Sequence, residues 1–128
     1  MIVDTSALIA IVRDESDAAA FVRAIATSRI RPGISSVTLV EAGLVLNPAE
    51  FEDLLADILD FEIFVVEFTV AVAHLAIEAG HRYGKGRGKK AQLNFGDCCS
   101  YATAKALNMP LLFKGIDFLH TDIEPVRM

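Results

Sequence analysis

No stretch of the chain approaches the ~18 uninterrupted apolar residues of a membrane span. That holds although 53% of its 128 residues are apolar, so the excess is expected in a core and at a subunit interface rather than in lipid. A basic segment followed by a long apolar one is also missing before Asp4, which leaves no secretory leader to read and makes the cytoplasm the expected location. Cysteine is scarce. Cys98 and Cys99 are adjacent, and neighbours on a helix point different ways, so they make a poor disulfide and read as reduced, buried thiols. Basic residues are outnumbered 12 to 17 for a net charge of -5, which argues against a broad basic coat for nucleic acid but leaves room for a local patch. The three histidines, His74, His81 and His120, are scattered without zinc-ligand spacing. No Cys/His pair, Gly-x-Ser-x-Gly elbow or phosphate-binding Gly-Lys-Ser/Thr loop is present to argue for another chemistry.

What is present fits one domain. Apolar runs of strand length alternate with longer segments of helical period, the pattern of an α/β domain with a largely parallel sheet. Strands are expected near 1–4, 32–35, 61–66, 110–114 and 123–126, and helices near 6–12, 16–28, 36–46, 49–59, 69–82 and 96–107. Ser16, Ser36, Asn47 or Pro48, and Thr69 are the helix-start signals. No internal repeat is visible. The segment Gly84-Lys85-Gly86-Arg87-Gly88-Lys89-Lys90 alternates glycine with cations, which prevents stable helix or strand and marks an exposed loop. Lys85, Arg87, Lys89 and Lys90 are there to grip a phosphate backbone, or simply to stay solvated.

Four acids stand out. Asp4 ends an apolar strand and opens a helix, the place where α/β folds collect ligands, although an Asp there also caps a helix. Glu41 is the only charged residue from Pro32 to Ala49 and lies near Val37, Val40, Leu44 and Val45 on a helical projection. An ionised carboxylate in a dry apolar face must be neutralised, paired (with Arg13, for example) or bound to a cation. Asp97 begins a helical run after Asn94-Phe95-Gly96, where an Asp can also be only a cap, and Asp117 follows a strand through Lys114-Gly115-Ile116. Two strand-end acids, one helix-start acid and one acid on a helix face can converge in a single crevice. Carboxylates ~5 Å apart repel by roughly 3 kcal/mol at an effective dielectric near 20, so such a cluster calls for hard, oxygen-liganded cations such as Mg²⁺ or Mn²⁺.

With these residues in place, the chain resembles the PIN-domain ribonucleases, and within them the VapC toxins of toxin-antitoxin pairs. The resemblance runs the length of the chain through Met-Ile-Val-Asp-Thr-Ser-Ala-Leu, Ser36-Val37-Thr38-Leu39-Val40-Glu41-Ala42, Leu93-Asn94-Phe95-Gly96-Asp97-Cys98, and Pro110 to Phe118 followed by Thr121-Asp122. It implies a three-layer α/β/α sandwich around a short, largely parallel sheet, with Asp4, Glu41, Asp97 and Asp117 as the acidic quartet that holds Mg²⁺ or Mn²⁺. Asp117 matches the most variable member, with Asp122 as its substitute. Ser6 and Thr5 match hydroxyl positions that support the first acid. Further implied are cleavage of RNA, a VapB-like antitoxin that reaches an Arg into the acidic site, and a homodimer. Two other readings compete: a PIN-like module that only binds partners, and an aspartyl phosphotransfer enzyme using Asp4. The last lacks the Asp-x-Asp pair, because residue 6 is Ser.

Overall fold

Ile2 and Val3 form strand β1, and alternation along a strand sends their side chains to opposite faces of the sheet. Ile2 packs into one apolar cluster with Ala79, Tyr101, Ala104, Leu111 and Phe118, while Val3 joins another with Leu8, Phe21, Ile25, Ile34, Leu54 and Leu112. Both faces are therefore covered, and the architecture is three layers, helix on sheet on helix. The computed structural model describes residues 1–128.

In chain order β1 (Ile2–Val3) leads into α1 (Thr5–Val12) and α2 (Ala18–Ala26), then β2 (Gly33–Ser35), α3 (Ser36–Val45), α4 (Pro48–Asp60) and β3 (Phe64–Val66). Helices α5 (Val70–Tyr83) and α6 (Phe95–Ala106) precede β4 (Leu111–Leu112), and a 3₁₀ turn spans Asp117–His120. All pairings are parallel and the strand order is β3-β2-β1-β4. β1 and β2 are thus central, and the chain leaves their carboxyl ends through Asp4 and Ser35 directly into α1 and α3. The crevice beyond those ends is where a fold of this kind gathers its chemistry.

Six helices appear where the periodicity places them, with end shifts that side-chain chemistry explains. Asn47 caps α4 in a reciprocal capping box with Glu50, and Thr69 caps α5. Helix α2 is preceded by Asp17, not Ser16, and makes no side-chain cap; α3 is capped by Ser35, whose Oγ accepts from Val37 N at 3.1 Å, so Ser36 is already helical. Strand β3 starts later than residue 61, because α4 runs on to Asp60 and Glu62 turns the chain at φ 52. The strand expected over 123–126 is reduced to one bridge between Leu111 and Pro125. Leu111 N donates to Glu124 O and Val126 N to Leu111 O, both at 2.9 Å, but Pro125 has no N–H with which to extend a ladder on its other side. Cys98 and Cys99 are buried free thiols, and burial pushes Cys99 up to about 11, so both stay protonated at neutral pH.

Candidate active site

Asp4 is held at the mouth of the crevice by its own helix. Its backbone stays extended at φ -79, ψ 156 as the N-cap of α1, and Oδ2 accepts from Ser6 N at 3.1 Å and from Ser6 Oγ at 2.7 Å. Ser6 Oγ in turn accepts from Lys114 N at 3.0 Å, which ties the exit of β4 to the start of α1. Asp4 is only 3% exposed, and its other oxygen, Oδ1, is buried with no hydrogen-bond partner in the protein. A buried carboxylate oxygen with two free lone pairs is destabilising unless something positive meets it.

Glu41 projects from the middle of α3 towards the first turn of α6. Thr5 Oγ1 donates a hydrogen bond to Glu41 Oε1, so Thr5 engages Glu41 and not Asp4, whereas Ser6 engages Asp4. Opposite Thr5, the carboxylate rests against the backbone of Gly96: a Cβ built there would lie 2.0 Å from Glu41 Oε2. Glycine at position 96 leaves this space to the carboxylate, and an added methyl group would push the flexible end of Glu41 aside, a consequence that spacing in the sequence did not signal. The pairing with Arg13 is not formed, because Arg13 is engaged by Glu50 at 2.9 Å. Nor is the surrounding face of α3 a dry one: Val40, Leu44 and Val45 are exposed.

Asp97 stands at the third position of α6, not at its cap. Asn94 is the cap; its side chain accepts from Asp97 N at 2.9 Å, and Asp97 Oδ2 accepts from Asn94 N at 3.0 Å. The box leaves the carboxyl group half-buried and facing the other acids. Its pKa is raised to about 6, first by burial and then by the charges of Asp4, Asp117 and Glu41, outweighing the lowering by the Asn94 N–H. Asp117, at the start of the 3₁₀ turn, is exposed, and its charge is among those that raise Asp97; Asp122 is engaged elsewhere. Asp122 accepts from Tyr101 Oη, lies 3.2 Å from Lys105 Nζ and 3.7 Å from Arg82, and is held below the usual carboxylate range by the Tyr101 hydroxyl above all. Committed to that network, Asp122 tethers the C-terminal segment to α6.

No group of three His, Cys, Asp or Glu side chains stands ready to ligate one ion directly. Magnesium and manganese tolerate such spacing, since Mg²⁺ keeps several waters and takes one or two carboxylates, whereas a structural zinc centre needs a closed set of Cys and His donors. All-oxygen donors and the unpartnered Asp4 Oδ1 fit a hard divalent cation. The loop cations Lys85, Arg87, Lys89 and Lys90 are all exposed, and Lys85 N donates to Leu93 O at 3.0 Å to pin the base of the loop beside the entry to α6. Gly86 and Gly88 take φ 84 and 69, which suits glycine.

The PIN domain family model matches residues 1–124 of the chain. The chain belongs to the PIN-domain family. Among curated relatives, the ribonuclease VapC28 of Mycobacterium tuberculosis is 45% identical over 128 residues, covering 97% of this chain and 96% of that one. Among solved structures, the Mycobacterium tuberculosis VapC20, a sarcin-ricin loop cleaving toxin, superposes with a TM-score of 0.80 at 20% identity, covering 99% of this PIN domain and 98% of its own chain. VapBC2 from Rickettsia felis, bound to a DNA fragment from its promoter, gives a TM-score of 0.72 at 16% identity, with 98% and 96% covered. The three-layer parallel fold read from the sequence is thus the fold observed, and no helix of this PIN domain is long and apolar enough to cross a membrane.

Proposed function

We propose that this PIN domain is a divalent-metal-dependent endoribonuclease that acts in the cytoplasm as the toxin of a toxin-antitoxin pair. The observation that carries the metal dependence is the buried, unpartnered Oδ1 of Asp4 in a crevice where charge from Glu41, Asp97 and Asp117 converges. The ribonuclease and toxin roles are supported by relatives such as VapC28 and VapC20.

In this reading Asp4 and Asp97 are the chief holders of Mg²⁺ or Mn²⁺, directly or through water, with Glu41 and Asp117 completing the site. The bound cation supplies Lewis acidity and offsets the negative charge that four carboxylates would otherwise present to a phosphodiester. The remaining work falls to the chain. Ser6 and the Lys114 backbone N–H fix the Asp4 carboxylate, Thr5 and Gly96 fix Glu41, and the Asn94 cap fixes Asp97, so the acids are oriented before RNA arrives. The raised pKa of Asp97 belongs to the metal-free site; a cation held there would lower it and keep the carboxylate ionised as a ligand. Lys85, Arg87, Lys89 and Lys90 hold the RNA backbone.

A VapB-like antitoxin and a second copy of the chain are the protein partners in this proposal. Exposed Val40, Leu44 and Val45 on α3 and Leu55 and Leu59 on α4 supply apolar area for them. An antitoxin arginine fork would satisfy the carboxylates in place of metal. The test is incubation of the purified protein with total cellular RNA, with and without Mg²⁺ or Mn²⁺, followed by mapping of new ends. Metal-dependent cleavage lost in Asp4→Ala is the expected result. Equal cleavage by that variant, or none by the wild type with either ion, overturns the proposal.

A further inference from the structure

Phe95 opens α6 two residues before Asp97, yet 77% of its surface is exposed. It borders a cavity of about 500 Å³ between α5, the start of α6 and the base of the cationic loop. The walls are Phe68, Ile77, Leu93 and the buried Cys98, and the polar groups around them are His81, Lys85, Arg87 and Asn94. No aspartate or glutamate lines it, in a chain carrying 17 of them and a net charge of -5. The cavity therefore suits a flat apolar body that carries negative charge at its edge.

We infer that this cavity is a base-binding subsite, in which an unpaired nucleobase of the RNA strand lies against Phe95 while Lys85 and Arg87 hold its flanking phosphates. The inference rests on the ribonuclease reading above and adds where the strand next to the cleaved bond goes. Two observations single out this occupant. The only charged residues of the lining are the cations Lys85 and Arg87, so the arginine-bearing segment of an antitoxin that reaches for the acids is disfavoured here. Asn94 and Phe95 belong both to the cavity wall and to the turn that holds Asp97, so a base seated here is continuous with a phosphodiester at the acids. Base stacking on an aromatic ring is tolerant of sequence, because every base offers a π-face. The subsite therefore demands single-stranded, unstacked RNA and not a particular base.

The experiment measures binding of a short fluorescein-labelled single-stranded RNA of random sequence in EDTA, where nothing is cut, by fluorescence anisotropy. Because Phe95 is exposed, Phe95→Ala leaves the core intact, and circular dichroism verifies it. Phe95→Ala is expected to weaken binding about tenfold, within the range of an aromatic that stacks a base, and Phe95→Trp to bind at least as well as wild type. An abasic strand of the same length is expected to bind wild type and Phe95→Ala alike. Unchanged affinity in a folded Phe95→Ala variant overturns the subsite. So does a loss of RNA binding that accompanies a change of oligomeric state in light scattering, which assigns the face to self-association. Cleavage by the wild type with Mg²⁺ or Mn²⁺, measured alongside, separates the two levels: cleavage without a Phe95 effect refutes the subsite alone, and no cleavage refutes the ribonuclease reading beneath it.

Discussion

Neutralising Asp97 is expected to stabilise the metal-free protein at neutral pH while destroying its activity. The folded pKa of this acid is about 6 against an ordinary value of 3.8. Between those values the native state keeps the proton and the unfolded chain has released it, so the native state binds more protons. Stability then falls as pH rises through that window, and the penalty is complete above the folded pKa. Such a rise corresponds to about 3 kcal/mol, which partial exposure of Asp97 and screening by water reduce to roughly 1–2 kcal/mol. Asn at position 97 removes the charge but keeps an oxygen to accept from Asn94 N, so the cap of α6 survives. The assay is urea unfolding of wild type and Asp97→Asn in EDTA at about pH 4.5, near the foot of the window, and at about pH 7.5, above it. The variant is expected to gain roughly 1–2 kcal/mol over wild type at the higher pH and much less at the lower. Added Mg²⁺ is expected to restore stability to wild type only, because the ion binds the folded carboxylates. A variant less stable than wild type at the higher pH, or an advantage equal at both, refutes the reasoning.

Gly96→Ala places a methyl group where the Glu41 carboxylate lies; metal affinity measured by calorimetry is expected to fall at least tenfold, and wild-type affinity would show that Glu41 has no part in holding the ion. Glu41→Gln keeps the shape and the Thr5 hydrogen bond, and should weaken metal binding more than it changes the urea midpoint; unchanged metal titration would make Glu41 structural. Neutral residues at Lys85, Arg87, Lys89 and Lys90 should flatten the salt dependence of RNA binding by ~0.7 in log-log slope for each phosphate no longer neutralised, and an unaltered slope would return the loop to solvent.

Much of the fold was legible from residue order because it depends on local rules. Alternation and helical period are properties of neighbouring residues, so the parallel α/β plan and all six helices could be placed before any contact was known. Strand-end acids are local too: Asp4 could be singled out because the end of a strand in this fold class opens onto the crevice. The glycine-cation loop was equally plain, since its composition forbids regular structure.

Other features needed the third dimension, since they depend on distances between residues far apart in the chain. Thr5 and Glu41 are 36 positions apart, and only the packing of α1 beside α3 makes the hydroxyl serve the second acid instead of the first. Glu41 and Gly96 meet only where α3 packs against the start of α6, so the contact between the carboxylate and position 96 has no signal in the letters around it. Asp117 and Asp122 divide for the same reason. Both are acids beyond the last strand, but Tyr101, Lys105 and Arg82 on other helices claim Asp122, while Asp117 is left exposed with its charge felt by Asp97. Residue order thus set the elements and the stock of carboxylates, while packing selected which of them share one field, because charge interaction falls with distance through space and not along the chain.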